Sequence, residues 1–201
     1  MRMRVMRWCC MLLLIAAAPR PLMLSDIRPI AIKPGVNRIA DFLPTGGAAT
    51  IIDAWLGNGN AHGHHSFMVL TGASEGEAVG LAPFPDRDTL TDNPFDGERV
   101  IGAVRFVRAR VDGRVASLVV TATLDQATDR PLADHALATV RVYRLTKTKD
   151  GIGPPLFFEQ VSEQHSTSRY CNAHLALRDV LGVPLPRDYA GANRVDGCFS
   201  G

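Results

Sequence analysis

The sequence predicts an all-β fold, a single-domain antiparallel sandwich or open barrel with one short C-terminal helix. Six short runs rich in β-branched and aromatic residues are separated by turn-forming residues at intervals of roughly 8 to 20 residues. Strands and helices do not alternate along the chain, as they would in a parallel α/β fold. Only one segment, close to the C-terminus, has helical spacing of its apolar residues. These observations favour packed antiparallel sheets or a barrel.

Turn-forming residues between the apolar runs support the prediction of strands. Residues 57–60 (GNGN) are typical of a hairpin loop, and Asp112-Gly113 suits a type I′ turn, whose two central residues both need positive φ. In 114–124, alternation of apolar and polar residues indicates a half-buried strand. The apolar phase of the strand before it shifts near Phe106, which indicates either a β-bulge or burial on both faces. The predicted strands are 48–56, 65–71, 99–111, 114–124, 138–145 and 156–161.

Residues 172–181 are predicted to form the helix. Their apolar residues recur at three- and four-residue spacing, and Gly182 followed by Pro184 is typical of a helix end. His174 and Arg178 lie four positions apart, so both can face the same side of this helix. Pairs of this kind usually lie on a solvated face.

The N-terminus has the pattern of a secretion signal. Three arginines within residues 2–7 precede an apolar run over 8–18, which ends in small residues. Spanning a bilayer takes about 20 apolar residues, and Pro19 and Arg20 interrupt this run well before that length. We therefore predict a periplasmic or secreted protein with no membrane span in the mature chain. The cleavage site is left open, because Pro19 would follow the small-residue pattern that ends at Ala18.

The predicted organisation is a secretion signal over 1–18, an irregular or edge-strand arm over 19–44 and a β-rich domain over 45–201. Removing the signal takes away three arginines, so 22 basic residues fall to 19 (22 − 3) against 20 acidic ones. No basic stripe then remains to attract nucleic acid. The predicted partners are an envelope protein or a small ligand.

Cys171 and Cys198 are the cysteines outside the predicted signal. In an exported chain such a pair favours a disulfide over a metal or redox site, and no C-x-x-C spacing is present. The bond would close a loop of about 27 residues and fasten the glycine-rich tail to the start of the helix. Loop entropy gives such a bond a stabilisation of about 3–4 kcal/mol.

His62 and His64 are the candidate metal ligands. If the strand begins by His62, period 2 places both imidazoles on one face, where they could bind a divalent metal such as zinc, while His65 points away. The pair resembles the first motif of metal-binding cupins, although Met68 and Val69 occupy the positions of the cupin glutamate. A third ligand would have to come from His135, His165 or His174. The alternative interpretation is a polar loop that leads into a strand.

The remaining chemistry-bearing residues are predicted to be structural. Gly57 and Gly59 precede a strand, whereas the glycines of the dinucleotide fingerprint open a helix. Acidic residues without a spacing that pairs them are predicted to lie on the surface, and three aromatic residues are predicted to pack in the core. The acids are Asp53, Asp86, Asp88 and Glu159, and the aromatics are Trp55, Phe157 and Phe158.

Two function classes remain from the sequence. The favoured class is an exported, non-catalytic β-domain that binds a partner protein, an envelope component or a small ligand, with no cofactor. The alternative is a metal-dependent periplasmic enzyme centred on His62 and His64. The first is preferred because the fold signals agree with one another, while the catalytic signals are isolated.

Overall fold

Two antiparallel sheets and one helix make up the described part of the chain in the computed structural model. The described residues are 22–57, 59, 63–72, 79–92, 100–125, 135–149 and 151–186. The strands, numbered in chain order, are β1 (Leu24–Pro29), β2 (Gly35–Ile39), β3 (Ala49–Leu56), β4 (His64–Thr71), β5 (Gly80–Leu81), β6 (Leu90–Thr91), β7 (Gly102–Val111), β8 (Arg114–Leu124), β9 (Ala138–Lys147) and β10 (Leu156–His165), and the helix is α1 (Ala173–Leu181).

Sheet I contains the long strands in the order β1-β7-β8-β9-β10. β7 and β8 pair in unbroken register from Gly102 opposite Thr123 to Val111 opposite Arg114. Asp112 and Gly113 join them with φ values of 50° and 77°, which is the conformation that a type I′ turn requires. The turn matches the right-handed twist of the paired strands, so the local sequence favours this hairpin.

Sheet II has the order β2-β3-β4-β5, and β6 also pairs with β4. Its centre is the β3–β4 hairpin, in which Leu56 lies opposite His64 and Thr50 lies opposite Leu70. The predicted loop over 57–60 does connect these strands, although Asn58 and residues 60–62 lie outside the described residues. β2 forms an edge of sheet II, just as β1 forms an edge of sheet I.

Two hydrophobic cores lie on opposite sides of sheet I. One core fills the space between sheet I and α1 and includes Val107, Leu118 and Leu177. The other lies between the two sheets and includes Ile51, Phe106 and Phe158. The central strands of sheet I are therefore buried on both faces. This double burial explains the shifted apolar phase near Phe106, since β7 pairs without a bulge on its β8 side.

The helix begins and ends where its sequence predicts. The side chain of Asn172 accepts a hydrogen bond from the His174 backbone N–H at 2.9 Å, which is a typical N-cap. Gly182 closes the C-terminus, and its N–H donates to the Arg178 carbonyl at 2.8 Å. Within the described ranges, no helix has the length and apolar character needed to cross a membrane.

The predicted fold class is confirmed as an all-β, sandwich-like fold with one short C-terminal helix. Three finer predictions are wrong. Asp53 does not lie on the surface: it is only 6% exposed, because it shares the inner face of sheet II with the buried Ile51. The 114–124 strand is not half-buried, because residues 118 to 122 are all buried between the two cores. Trp55 is not a core residue: it is 57% exposed, because β3 extends beyond the inter-sheet core at its C-terminal end.

Candidate functional site

A polar cluster interrupts the apolar inner face of sheet II. Asp53 on β3 shares that face with the buried Ala49 and Ile51, and it is only 6% exposed. His65 on β4 lies on the same face as Phe67, which is the residue opposite Asp53. The side chains of Asp53 and His65 therefore meet diagonally across the β3–β4 pair. The His65 Nδ1–H donates to Asp53 Oδ1 at 2.6 Å. A buried carboxylate is thus held by an imidazole whose side chain is 30% exposed.

Asp92 completes this cluster through the backbone of the same histidine. Its Oδ1 accepts a hydrogen bond from the His65 backbone N–H at 2.8 Å, and its own N–H donates to the His65 carbonyl at 3.2 Å. Asp92 directly follows β6, which pairs with β4 at Ser66 and Phe67. The ring and the main chain of His65 are therefore both held, each by a different aspartate. We call Asp53, His65 and Asp92 the polar cluster.

The hydrogen bonds determine what the imidazole can do. Because Nδ1 carries a proton toward Asp53, the neutral ring presents Nε2 as an acceptor, and the protonated ring presents it as a donor. His65 can therefore bind a polar group or exchange a proton through Nε2.

Burial raises the pKa of the Asp92 carboxyl, and the His65 N–H and the charge of His65 oppose that shift only in part. A folded-state pKa above the unfolded value means that ionised Asp92 destabilises the fold. This destabilisation is fully present above the folded pKa. It disappears as the pH falls through the folded pKa to below the unfolded one.

Asp92→Asn should therefore raise the thermal midpoint at pH 7, because it removes the ionisation while its amide oxygen can still accept the His65 N–H. The difference from the wild type should vanish near about pH 3, where Asp92 is protonated in both states. Differential scanning calorimetry at the two pH values checks this. Asp88→Asn is the matched control, because Asp88 is exposed in the same segment. A stabilisation of the Asp92 variant that persists unchanged at low pH would contradict this explanation.

Two aromatic rings flank His65. Trp55 lies edge-on to the imidazole with ring centroids 5.0 Å apart, and Phe67 stacks on it at 6.2 Å. Trp55 also covers Gly63, where a Cβ would lie 2.3 Å from the indole ring. Only glycine fits at this position without displacing the indole. Gly63 therefore helps to keep Trp55 against His65.

The polar cluster forms part of the lining of a cleft of about 900 Å³. Its lining contains five charged or titratable residues, and the others are all apolar. The apolar walls come from the 29–34 segment, the 184–186 segment and the aromatic rings of Phe67 and Phe106. Arg105 on β7 and His174 on α1 add the remaining polar groups. The cleft thus combines a mostly apolar lining with a few polar groups.

The cleft opens where the N-terminal chain crosses from sheet I to sheet II. β1 pairs with β7 only as far as Val107, and the Ile30 N–H then donates to the Phe106 carbonyl at 2.8 Å. After Ile30 the chain leaves sheet I and crosses to β2 at the edge of sheet II. The first half of β7 therefore has no β1 residue paired beside it, and the cleft lies along that opening.

Of the two predicted metal ligands, His62 and His64, the structure describes only His64. His64 lies on β4 on the opposite face from His65, and His62 lies outside the described residues. Within the parts of the chain that the structure describes, no group of three or more His, Cys, Asp or Glu residues is arranged to hold a metal ion. The His62 and His64 site therefore remains a prediction.

The candidate third ligands are separated from one another. His165 Nδ1 lies 3.1 Å from Thr139 Oγ1 at the end of β10, and the His135 carbonyl accepts a hydrogen bond from Arg169. His174 lines the same cleft as the polar cluster. Arg178, its predicted companion on the helix, forms an ion pair with Asp179 at 2.6 Å. Of these residues, only His174 shares a site with the polar cluster.

The predicted disulfide involves one described cysteine. Cys171 is buried beside the N-terminus of α1, whereas Cys198 and the 1–18 signal lie outside the described residues. The bond and the signal therefore remain predictions.

Sequence reasoning missed Asp53, His65 and Asp92 as a unit. A signal for the first two was present, because Asp53 and His65 each share the period-2 face of apolar residues in their own strand. Charged residues on such a face are seldom buried without a partner. Asp92 had no comparable signal, since it contacts His65 across 27 positions of sequence.

Comparison with known proteins identifies a similar fold. The sequence matches no protein-family model and no curated protein. The crystal structure of CarG is similar to this chain, with a TM-score of 0.63 and 17% sequence identity. The similarity covers 76% of this chain and 94% of CarG. At that identity the likeness shows a shared fold and nothing further.

Proposed function

We propose that this protein is an exported, non-catalytic binding module that holds a small ligand in the cleft beside β7. The observation that carries the proposal is the cleft itself, about 900 Å³ in volume, with apolar walls and a few converging polar groups. Small-molecule sites in proteins have this size and composition. The N-terminal signal pattern supports export, and the cysteine pair suits an oxidising compartment.

The polar cluster suits recognition because its geometry is set before a ligand arrives. Asp53 fixes the His65 ring, and Asp92 fixes the His65 backbone. A site whose groups are already held loses little conformational entropy on binding. The apolar walls would supply affinity through burial, while the polar cluster would select the ligand.

Binding of the neutral dye N-phenyl-1-naphthylamine tests this proposal, because its fluorescence rises in an apolar cavity. We expect saturable binding of one dye molecule per purified chain. Ala31 is exposed and lines the cleft, so Ala31→Phe should obstruct it and weaken dye binding by about tenfold or more, which corresponds to about 1.4 kcal/mol.

Ala54→Phe is the matched control, since Ala54 is an exposed alanine on β3 that does not line the cleft. This variant should bind the dye as the wild type does. The control also separates the cleft from the apolar N-terminal segment, which both variants retain. If the dye does not bind, or if Ala31→Phe binds it as well as the wild type, the cleft is not the ligand site.

A further inference from the structure

We infer that the ligand of this cleft is a small amphipathic cation, with a hydrocarbon body between the apolar walls and a protonated amine beside Asp53, His65 and Asp92. This inference rests on the proposed function, because it assigns a chemical class to the ligand of the same cleft. It follows from the lining of the cleft, which combines apolar residues with two aspartates.

The apolar part of the cleft favours a hydrocarbon body. Proline and aliphatic residues approach from both chain segments that border the opening, over 29–34 and 184–186. Phe67 and Phe106 pack against each other beneath them, with ring centroids 5.6 Å apart. Each methylene group buried there favours binding, because apolar surface is removed from water. A fully polar ligand would lose hydration along these walls without compensation.

The polar cluster favours a positive charge. The polar cluster contains two carboxylates and one imidazole, so its net charge is negative whether or not the imidazole is protonated, as long as both carboxylates are ionised. The single positive charge that His65 can carry is already directed toward Asp53. An ammonium group here would form charge-assisted hydrogen bonds, and a ligand carboxylate would be repelled.

Two basic residues of the cleft, Arg105 and His174, come from elements outside sheet II. Arg105 lies on β7 and His174 on α1, both outside sheet II, which carries Asp53 and His65. Both basic residues also interact with other groups of the protein. The acidic groups are therefore gathered on the sheet II side of the cleft, where the amine would bind.

Three probes of matched shape test the inference: 4-phenylbutylamine, 4-phenylbutanol and 4-phenylbutyrate. Each would be titrated at pH 7 as a competitor of N-phenyl-1-naphthylamine. The amine is protonated, the alcohol neutral and the acid ionised at this pH. We expect the amine to bind about tenfold more tightly than the alcohol, and the acid to bind most weakly.

Asp92→Asn should remove most of the advantage of the amine over the alcohol. Asp88→Asn makes the same chemical change at an exposed position of the same segment and should alter neither affinity. Far-ultraviolet circular dichroism would show that both variants fold. The wild-type comparison of the three probes decides the inference even if the Asp92 variant fails to fold.

The possible outcomes separate this inference from the proposed function. If the alcohol or the acid displaces the dye as well as the amine does, the cleft binds small ligands but does not select cations, and the inference is wrong. The same conclusion follows if the dye binds and none of the three probes displaces it. If Ala31→Phe binds the dye as well as the wild type does, the proposed function is wrong, and so is the inference that rests on it.

Discussion

His65→Ala should lower the free energy of unfolding by about 3 kcal/mol, which is more than the loss expected for Asp53→Ala. Removing the imidazole leaves a carboxylate that is 6% exposed without its hydrogen-bond partner. Breaking a buried pair in this way costs about 3–5 kcal/mol, and partial exposure of the histidine favours the lower end of that range. Asp53→Ala leaves only a partly solvated imidazole, so its cost should be about 2 kcal/mol.

A double-mutant cycle measured by urea denaturation tests this asymmetry. Adding Asp53→Ala to His65→Ala removes the unpaired carboxylate, so the double variant should be more stable than His65→Ala alone. His64→Ala is the matched control, because His64 precedes His65 on the same strand and faces the other way. Equal and additive losses for the two single variants would mean that Asp53 and His65 do not depend on each other.

Phe158→Ala should cost about 4 kcal/mol, which makes it the largest effect expected from a single core change. Phe158 is fully buried between the sheets and stacks on Phe84 with ring centroids 4.3 Å apart. Truncating a buried phenylalanine costs about 3–5 kcal/mol, because transfer energy is lost and a cavity remains. The backbone adds to the effect at this position, since the Phe158 N–H donates to the Pro83 carbonyl at 2.8 Å and so aligns the Phe84 ring.

Phe157→Ala is the control for this loss. It makes the same chemical change one position earlier on β10, where the side chain points to the other face and is only half-buried. We expect its free energy of unfolding, measured by chemical denaturation, to fall by about 1 kcal/mol. Similar losses for both variants would show that the stacked pair contributes no special stability.

Much of the fold could be predicted because its strands end at residues with strong turn chemistry. Asp112 and Gly113 predicted a type I′ hairpin, and the structure places both at positive φ. The helix was predicted within one residue, because Asn172 caps it and Gly182 ends it. Such signals depend on neighbouring residues alone, and for this reason they could be interpreted from sequence.

The edge strands were harder to predict. Residues 24–29 and 35–39 were expected to form part of an irregular or edge-strand arm, and they do form edges, one in each sheet. Their partners are remote, since Leu24 pairs with Val111 and Gly35 with Asp53. Strand formation there depends on tertiary pairing, which overrides a local pattern rich in proline.

The candidate site could be predicted only in part. The histidine cluster drew attention to the correct strand, but the prediction emphasised His64, whereas His65 faces the cleft. The role of His65 depends on Asp53 in the neighbouring strand and on Asp92 after β6. The crossing of 30–34 between the sheets opens the cleft, and no local pattern in the sequence specifies that path.

The double burial of sheet I has a consequence for folding specificity. A one-residue slip of β8 against β7 would exchange the faces of Leu118 and Val119, yet both faces already contact an apolar core. Burial alone therefore discriminates weakly between the correct pairing and a slipped one. The Asp112-Gly113 turn makes the choice, because a two-residue turn permits one alignment of the strands it joins. Two residues at the tip of a hairpin thus determine which core each residue of the central strands enters.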